Sequence, residues 1–438
     1  MNVQRFVFNV KRSIFADISL RTKTKRQMKK NIFGILLLTL GAVLLLPSCG
    51  EDRSGEYYEK TQENQWIYTT MQEHYLWGDS LPSLERNQYF STTSKFFSSL
   101  LHKRDKVSFF NDTISAGSYG LTFALMRDPL GVRPGKVYAM VLNAHVGSPA
   151  YNAGIRRGTW ITSLDGKALS TSSNAMLTSG DAVEVVTEYI DYDDETGEYF
   201  WANGDTLSMP ASYDYPVNSV AHYSTINVRD RKVGYLVLDN MTGDGFIDNT
   251  QDILLGFAGA DVTDVALDLR YCNGGTLPNA TSLASSFVPS TAFGTPFCSL
   301  VGKGEAVDTV YNYSAQVANL SDKNLYVILG SRTHGVAELL ASSLKSTLGT
   351  SGVITLGART DGGGMMTVAI QAPYGFTINP VVSIMLDVAG KEIPSSGVKA
   401  DCAMDELANP FKVHPLGSEQ EHILYNIMYL IVNGMLPE

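Results

Sequence analysis

The chain has 438 residues, 44% hydrophobic and 18% charged, a globular composition with length enough for two or three domains. Its formal charge is −10, yet residues 1–48 hold nine of the 34 basic residues and one of the 44 acidic ones, so the remainder carries 25 against 43 and a net −18. An acidic body repels phosphate backbones and excludes nucleic acid as a partner. The seven histidines are scattered and no Cys-x-x-Cys or His-x-x-x-His spacing occurs, so neither a metal nor a cofactor is expected.

From Met28 the chain reads Met-Lys-Lys, then an apolar run from Ile32 to Leu46, then Pro47-Ser48-Cys49. The run is shorter than the ~20 residues a membrane-spanning helix needs. The pattern resembles a bacterial export signal that ends at a lipoprotein processing site, with Pro47 in place of the usual small residue. Residues 1–27 are too long and polar for the leading part of such a signal, so Met28 is the expected start. Residues 1–49 are therefore read as signal segment and lipidation site. A lipid on Cys49 would anchor the protein to a membrane of the cell envelope, facing the periplasm or the surface. Cys272, Cys298 and Cys402 then remain, enough for at most one internal disulfide.

Residues 50–64 are polar and read as a tether. From 65 to 101 apolar residues recur at helical spacing (Ile67, Met71, Tyr75, then Phe96, Phe97, Leu100), interrupted at Leu81-Pro82. The whole of 50–112 is assigned as a helical cap.

The next segment, 116–190, opens with Tyr119-Gly120-Leu121-Thr122-Phe123 and a strand, Lys136 to Val141. Ser148-Pro149-Ala150 starts a short helix, with Ser148 as its cap. The run Ala153-Gly154 to Asp165-Gly166 follows, with glycine turns at Gly158 and Gly166. The order of these blocks resembles a PDZ domain of the bacterial, protease-associated kind, with Thr159 where that family often has Asp. The resemblance implies that a peptide adds as a strand beside Leu121–Phe123 with its C-terminal carboxylate near Gly120. Asp191, Asp193 and Glu195 are spaced like calcium ligands, but Thr196 and Ala202 occupy the positions that need Gly and Glu, so a solvated hairpin is expected.

Residues 191–438 pass into apolar strands alternating with helical segments: Val233–Leu238, Val262–Arg270 with a helix from Leu277 to Phe287, Leu325–Gly330 with a helix from Val336 to Leu348, and Val353–Gly357. The pattern predicts an α/β core with partly parallel strands, and the fold class is α/β and α+β multidomain.

Cap, PDZ-like segment and core, in this order, resemble the C-terminal-processing (tail-specific) serine peptidase family. Lys232-Val233-Gly234-Tyr235-Leu236 is similar to the first strand of that family's core. Asp268 to Gly275 is similar to its Asp-Leu-Arg-x-Asn-x-Gly-Gly block, with Cys272 for Asn, and Gly397-Val398-Lys399-Ala400-Asp401 to its Gly-Val-x-Pro-Asp block. The resemblance implies a serine nucleophile at a helix start, a lysine base, and backbone amides that hold the oxyanion. The serine falls on Gly335, within Thr333-His334-Gly335-Val336-Ala337-Glu338. The lysine falls on Gly363, within Gly357 to Gly363. Glycine supplies neither group, whereas the amide donors near Gly274 and Val336 belong to the backbone.

The expected function is that of an inactive envelope lipoprotein that binds protein or peptide C-termini through Tyr119, Gly120, Leu121, Thr122 and Phe123. Two alternatives stand beside it: an active serine-type endopeptidase using displaced groups, of which Ser331, His334 and Glu338 are the candidates, and an envelope assembly or scaffold protein.

Overall fold

The computed structural model describes residues 54–112, 117–304 and 307–437, so the export segment and Cys49 lie outside the described residues. Among the described residues no helix is long and apolar enough to cross a membrane. The chain divides into two units, Met1–Gln62 and Glu63–Glu438. The described part of the first is the beginning of helix α1 (Ser54–His74), where Thr61 Oγ1 donates to the Tyr57 carbonyl over 2.6 Å. The expected tether is thus helical from Ser54: Glu, Lys and Gln are strong helix formers, so a polar run is not by itself a linker.

In the second unit, α1 continues to His74 and is followed by α2 (Thr93–Ser99) and strand β1 (Phe109–Asn111). Ile67, Met71, Tyr75, Phe96 and Phe97 are buried in one cluster with Ile378 and Val381.

An antiparallel sheet comes next. Its strands are β2 (Leu121–Arg127), β3 (Val137–Ala144), β4 (Trp160–Leu164), β5 (Lys167–Ala168), β6 (Val183–Asp193) and β7 (Glu198–Met209), in the order β2-β3-β4-β6-β7, with β5 on β4. Two short helices accompany it, α3 (Pro149–Asn152) and α4 (Asn174–Thr178). Ser148 caps α3 as expected, accepting from the Tyr151 amide over 3.2 Å. The hairpin of β6 and β7 turns at 194–197, and its tip is solvent-exposed. Phe123, Val141, Ile161 and Val185 pack on one face of the sheet. Tyr138, Met140 and Trp160 pack on the other, with Tyr271 of the core.

The core sheet is built from β8 (Val220–Val228), β9 (Arg231–Leu238), β10 (Asp264–Asp268), β13 (Asn324–Leu329), β14 (Val353–Gly357) and β19 (Cys402–Ala403), in the order β19-β14-β13-β10-β9-β8. All neighbours are parallel except the β8–β9 pair. Side chains alternate across the sheet. Leu236, Leu267 and Val327 meet helices α5 (Phe246–Gly259), α6 (Leu277–Ser285) and α7 (Val336–Gly352) on one face. Tyr235, Ala266 and Ile328 meet α8 (His422–Asn433) on the other. With both faces covered, β10 is buried throughout, as a continuous apolar run requires.

Four further strands, β11 (Pro296–Val301), β12 (Val307–Asn312), β15 (Met365–Thr367) and β18 (Val381–Asp387), form a second sheet in the order β12-β11-β18-β15. Strands β16 (Ile370–Gln371) and β17 (Thr377–Asn379) join β1 in a third. The three cysteines of the described residues are all free thiols, so the one permitted disulfide does not form.

The sheet of β2–β7 is tied to the core by a buried charge network. Arg157 donates to the carbonyls of Leu142 and His414, each over 2.8 Å, and to the Tyr271 hydroxyl. It also pairs with Glu406 and Glu421 at 3.1 and 3.3 Å. Arg270, 1% exposed, pairs with Asp268 and Glu421, each at 2.7 Å. Burial alone would raise the Glu421 carboxyl, but Arg270 and Arg157 hold it down at about 2.

Candidate active-site cleft

Strand β13 runs into a turn that opens α7. Thr333 fixes that turn: its buried hydroxyl donates to the Leu269 carbonyl over 2.7 Å and accepts from the Gly330 amide over 2.9 Å. Gly335 has φ +61° and ψ −118°, a conformation that a Cβ would strain. Its surroundings are otherwise open, since the nearest atom to a Cβ built there is the Gly363 carbonyl oxygen at 3.6 Å. Two positions 28 residues apart in sequence therefore adjoin in space.

Glu338 holds them together. Its carboxylate is fully buried in the first turn of α7 and accepts from the amides of Gly335 (2.9 Å), Gly362 (2.8 Å) and Gly363 (2.6 Å) and from the Thr360 hydroxyl. Those four donors match the acceptor capacity of one carboxylate. The negative charge also suits a helix N-terminus.

Gly363 is closed where Gly335 is open. A Cβ built on Gly363 falls among Cε1, Nε2 and Nδ1 of His334, closer than real atoms approach. The ring is held there by Asp361, whose Oδ2 lies 2.9 Å from Nδ1. His334 is about one-third exposed (32%), and its own amide donates to the Cys272 carbonyl over 3.0 Å. That bond brings the turn 272–275 against the start of α7, and a Cβ on Gly274 would stand 3.9 Å from the His334 carbonyl. The Gly274 amide faces the buried Cys272 sulfur, and Val336 is the first residue of α7.

The structure thus brings Gly335, Gly363, Glu338, His334, Gly274 and Val336 to one place. It does not add Ser331. That exposed residue lines a separate hollow of about 110 Å³ with Ala358 and Met404 and makes no hydrogen bond to His334. Nor is Glu338 the partner of His334: its oxygens face amides, and Asp361 takes that place. Asp361 is not among the residues the sequence singles out, and its position two residues before Gly363 is the one signal for it. Lys345 and Arg359 are occupied elsewhere, by Asp401 and by the Gly397 carbonyl.

Tyr119, Gly120, Leu121, Thr122 and Phe123 lie at the start of β2, the edge strand of its sheet. Gly120 has φ +76°, and a Cβ there would collide with Ser148. Its amide donates to Ser118 Oγ over 2.8 Å. Arg332, three residues before Gly335, donates to the Phe123 carbonyl over 2.6 Å, so the turn before α7 touches the β2 edge.

Two family models match the chain: the peptidase S41 N-terminal domain over residues 62–109 and peptidase family S41 over residues 232–404. No curated protein matches it in sequence. Among solved structures, an S41 protease homologue from Bacteroides fragilis superposes with a TM-score of 0.73 at 22% identity, over 84% of this chain and 97% of that one. The photosystem II D1 C-terminal processing protease gives 0.51 at 19% identity, over 83% and 96%. Mature CPAF complexed with lactacystin gives 0.51 at 12% identity, over 86% and 98%. At these identities the likeness is one of fold, a mixed α/β multidomain fold shared with S41 peptidases. With the matches to the helical part and to the core, the chain belongs to peptidase family S41.

Proposed function

We propose that this protein is a non-hydrolysing member of the S41 family that binds the C-terminal tails of proteins or peptides, held at the cell envelope by a lipid on Cys49. The observation that carries the reading is the pair of adjoining glycines at 335 and 363, with the His334 ring in the space a side chain at 363 would need. No nucleophile and no lysine base occupy those positions, while the fold around them is intact. The β2 edge supports tail binding in the manner of a PDZ domain. It is the end strand of its sheet, touched by Arg332 at the Phe123 carbonyl, and a tail carboxylate at Gly120 would replace the Ser118 hydroxyl as the acceptor for the amide. Fluorescence anisotropy of the intact chain with a labelled tail peptide, against the same peptide amidated at its C-terminus, tests this. Binding should need the free carboxylate and be lost in Leu121→Asp. Equal binding of the amidated peptide would overturn tail recognition.

One observation favours a second reading. The pair of His334 and Asp361 stands at the start of α7 beside the turn that carries Gly274, so a general base would adjoin the backbone amides of Gly274 and Val336. Hydrolysis by that route would use water as nucleophile, and His334→Ala would abolish it.

A further inference from the structure

The loop that carries Gly363 has a second cavity beside it. A volume of about 360 Å³ lies between Gly362–Gly364 and the segment Lys103–Val107. Met365 and Ile393 give it apolar lining, and Lys103, Arg104 and Lys106 bring three cations to it. Only Arg104 is neutralised, by Glu392 at 2.7 Å. Asp105, the acidic residue in the same segment, is turned away: its oxygens accept from the Tyr75 hydroxyl, the amides of Val107 and Ser108, and the Ser108 hydroxyl. Among the described residues the one ion pair of this segment is that of Arg104, and Lys103 and Lys106 stand at the cavity without a carboxylate partner. Two unpaired cations at a partly apolar cavity stand out in a body with a net charge of −18. Strand β15, which begins at Met365, is the last strand of its sheet, and its three residues are half-buried.

We propose that this cavity is a subsite for an acidic peptide segment, in which an aspartate or glutamate meets Lys103 and Lys106 and an apolar neighbour enters between Met365 and Ile393. The proposal rests on the reading of the protein as a peptide binder and names the chemistry of the segment upstream of the tail. Charge complementarity of this kind sets specificity more than bulk affinity.

The test uses the intact chain and peptides blocked at both ends, so that no tail carboxylate contributes. One peptide carries Asp residues, its analogue Asn, and a third Lys. The Asp peptide should bind about fivefold or more tightly than the Asn analogue at low salt, with the advantage shrinking as salt rises. Lys103→Glu combined with Lys106→Glu should reverse the order in favour of the Lys peptide, a gain that a misfolded variant cannot give. Equal affinities of the three peptides, unchanged by the charge reversal, would overturn the subsite. If that happens while a free-tail peptide still binds in a manner sensitive to Leu121→Asp, the subsite fails and tail binding stands. If neither class binds, both fail.

Discussion

The imidazole of His334 stands where a side chain on Gly363 would begin. The two residues are complementary in volume: the ring fits because position 363 has no Cβ. Gly363 is not in the left-handed region, so a Cβ would meet only this steric obstacle. Gly363→Ala must push the ring out and break its bond to Asp361. It should destabilise the parent by about 1 kcal/mol more than it destabilises a His334→Ala background, a coupling of the size expected for residues in contact. Urea denaturation of the four proteins measures it, and additive effects would show that the ring does not depend on the glycine.

Glu338 is the residue on which the shape of the cleft depends. Glu338→Ala leaves three amides and a hydroxyl without their acceptor in a buried place. The expected cost is about 3 kcal/mol or more. Hydrogen exchange at Gly335, Gly362 and Gly363 should accelerate beyond the global change. A variant with unaltered protection at these amides would contradict the arrangement.

Much of this cleft was legible in the sequence, and the reason is local. Strand, threonine, turn and helix follow one another within 325–348, and Val353–Gly357 has the bounds the apolar run gives. These are short-range patterns of period and turn chemistry. The roles of His334 and Glu338 were not legible. Both depend on the loop 360–363 folding back onto α7, a contact across more than 20 residues that no spacing reports. The helical start at Ser54 is hidden for a different reason: a polar run suits a tether and a solvated helix alike.

Asp239 provides a pH dependence. Burial pushes its carboxyl up to about 7, against the two contacts from Asn143 at 3.2 Å and with a further rise from Asp268. Between the unfolded value of 3.8 and about 7 the folded chain keeps a proton that the unfolded chain has lost. This contribution is therefore full below the unfolded value and lost as pH rises through that window. His145, whose Nε2 is 3.6 Å from Asp239, works the other way: burial lowers its pKa, which costs stability as pH falls below the ordinary 6.5. Asp239→Asn removes only the first effect. The stability of the variant relative to the parent should rise from about pH 4 to about pH 8. A difference that does not change with pH would show that Asp239 titrates normally.

In the proposed function, Gly335 and Gly363 mark a cleft that holds chains without cutting them. Incubation of the intact chain with unstructured peptides bearing free tails, followed by mass spectrometry of the products, tests it directly. Intact peptides are expected after prolonged incubation with the parent and with His334→Ala alike. Cleavage by the parent that disappears in Ser331→Ala or in His334→Ala would contradict it.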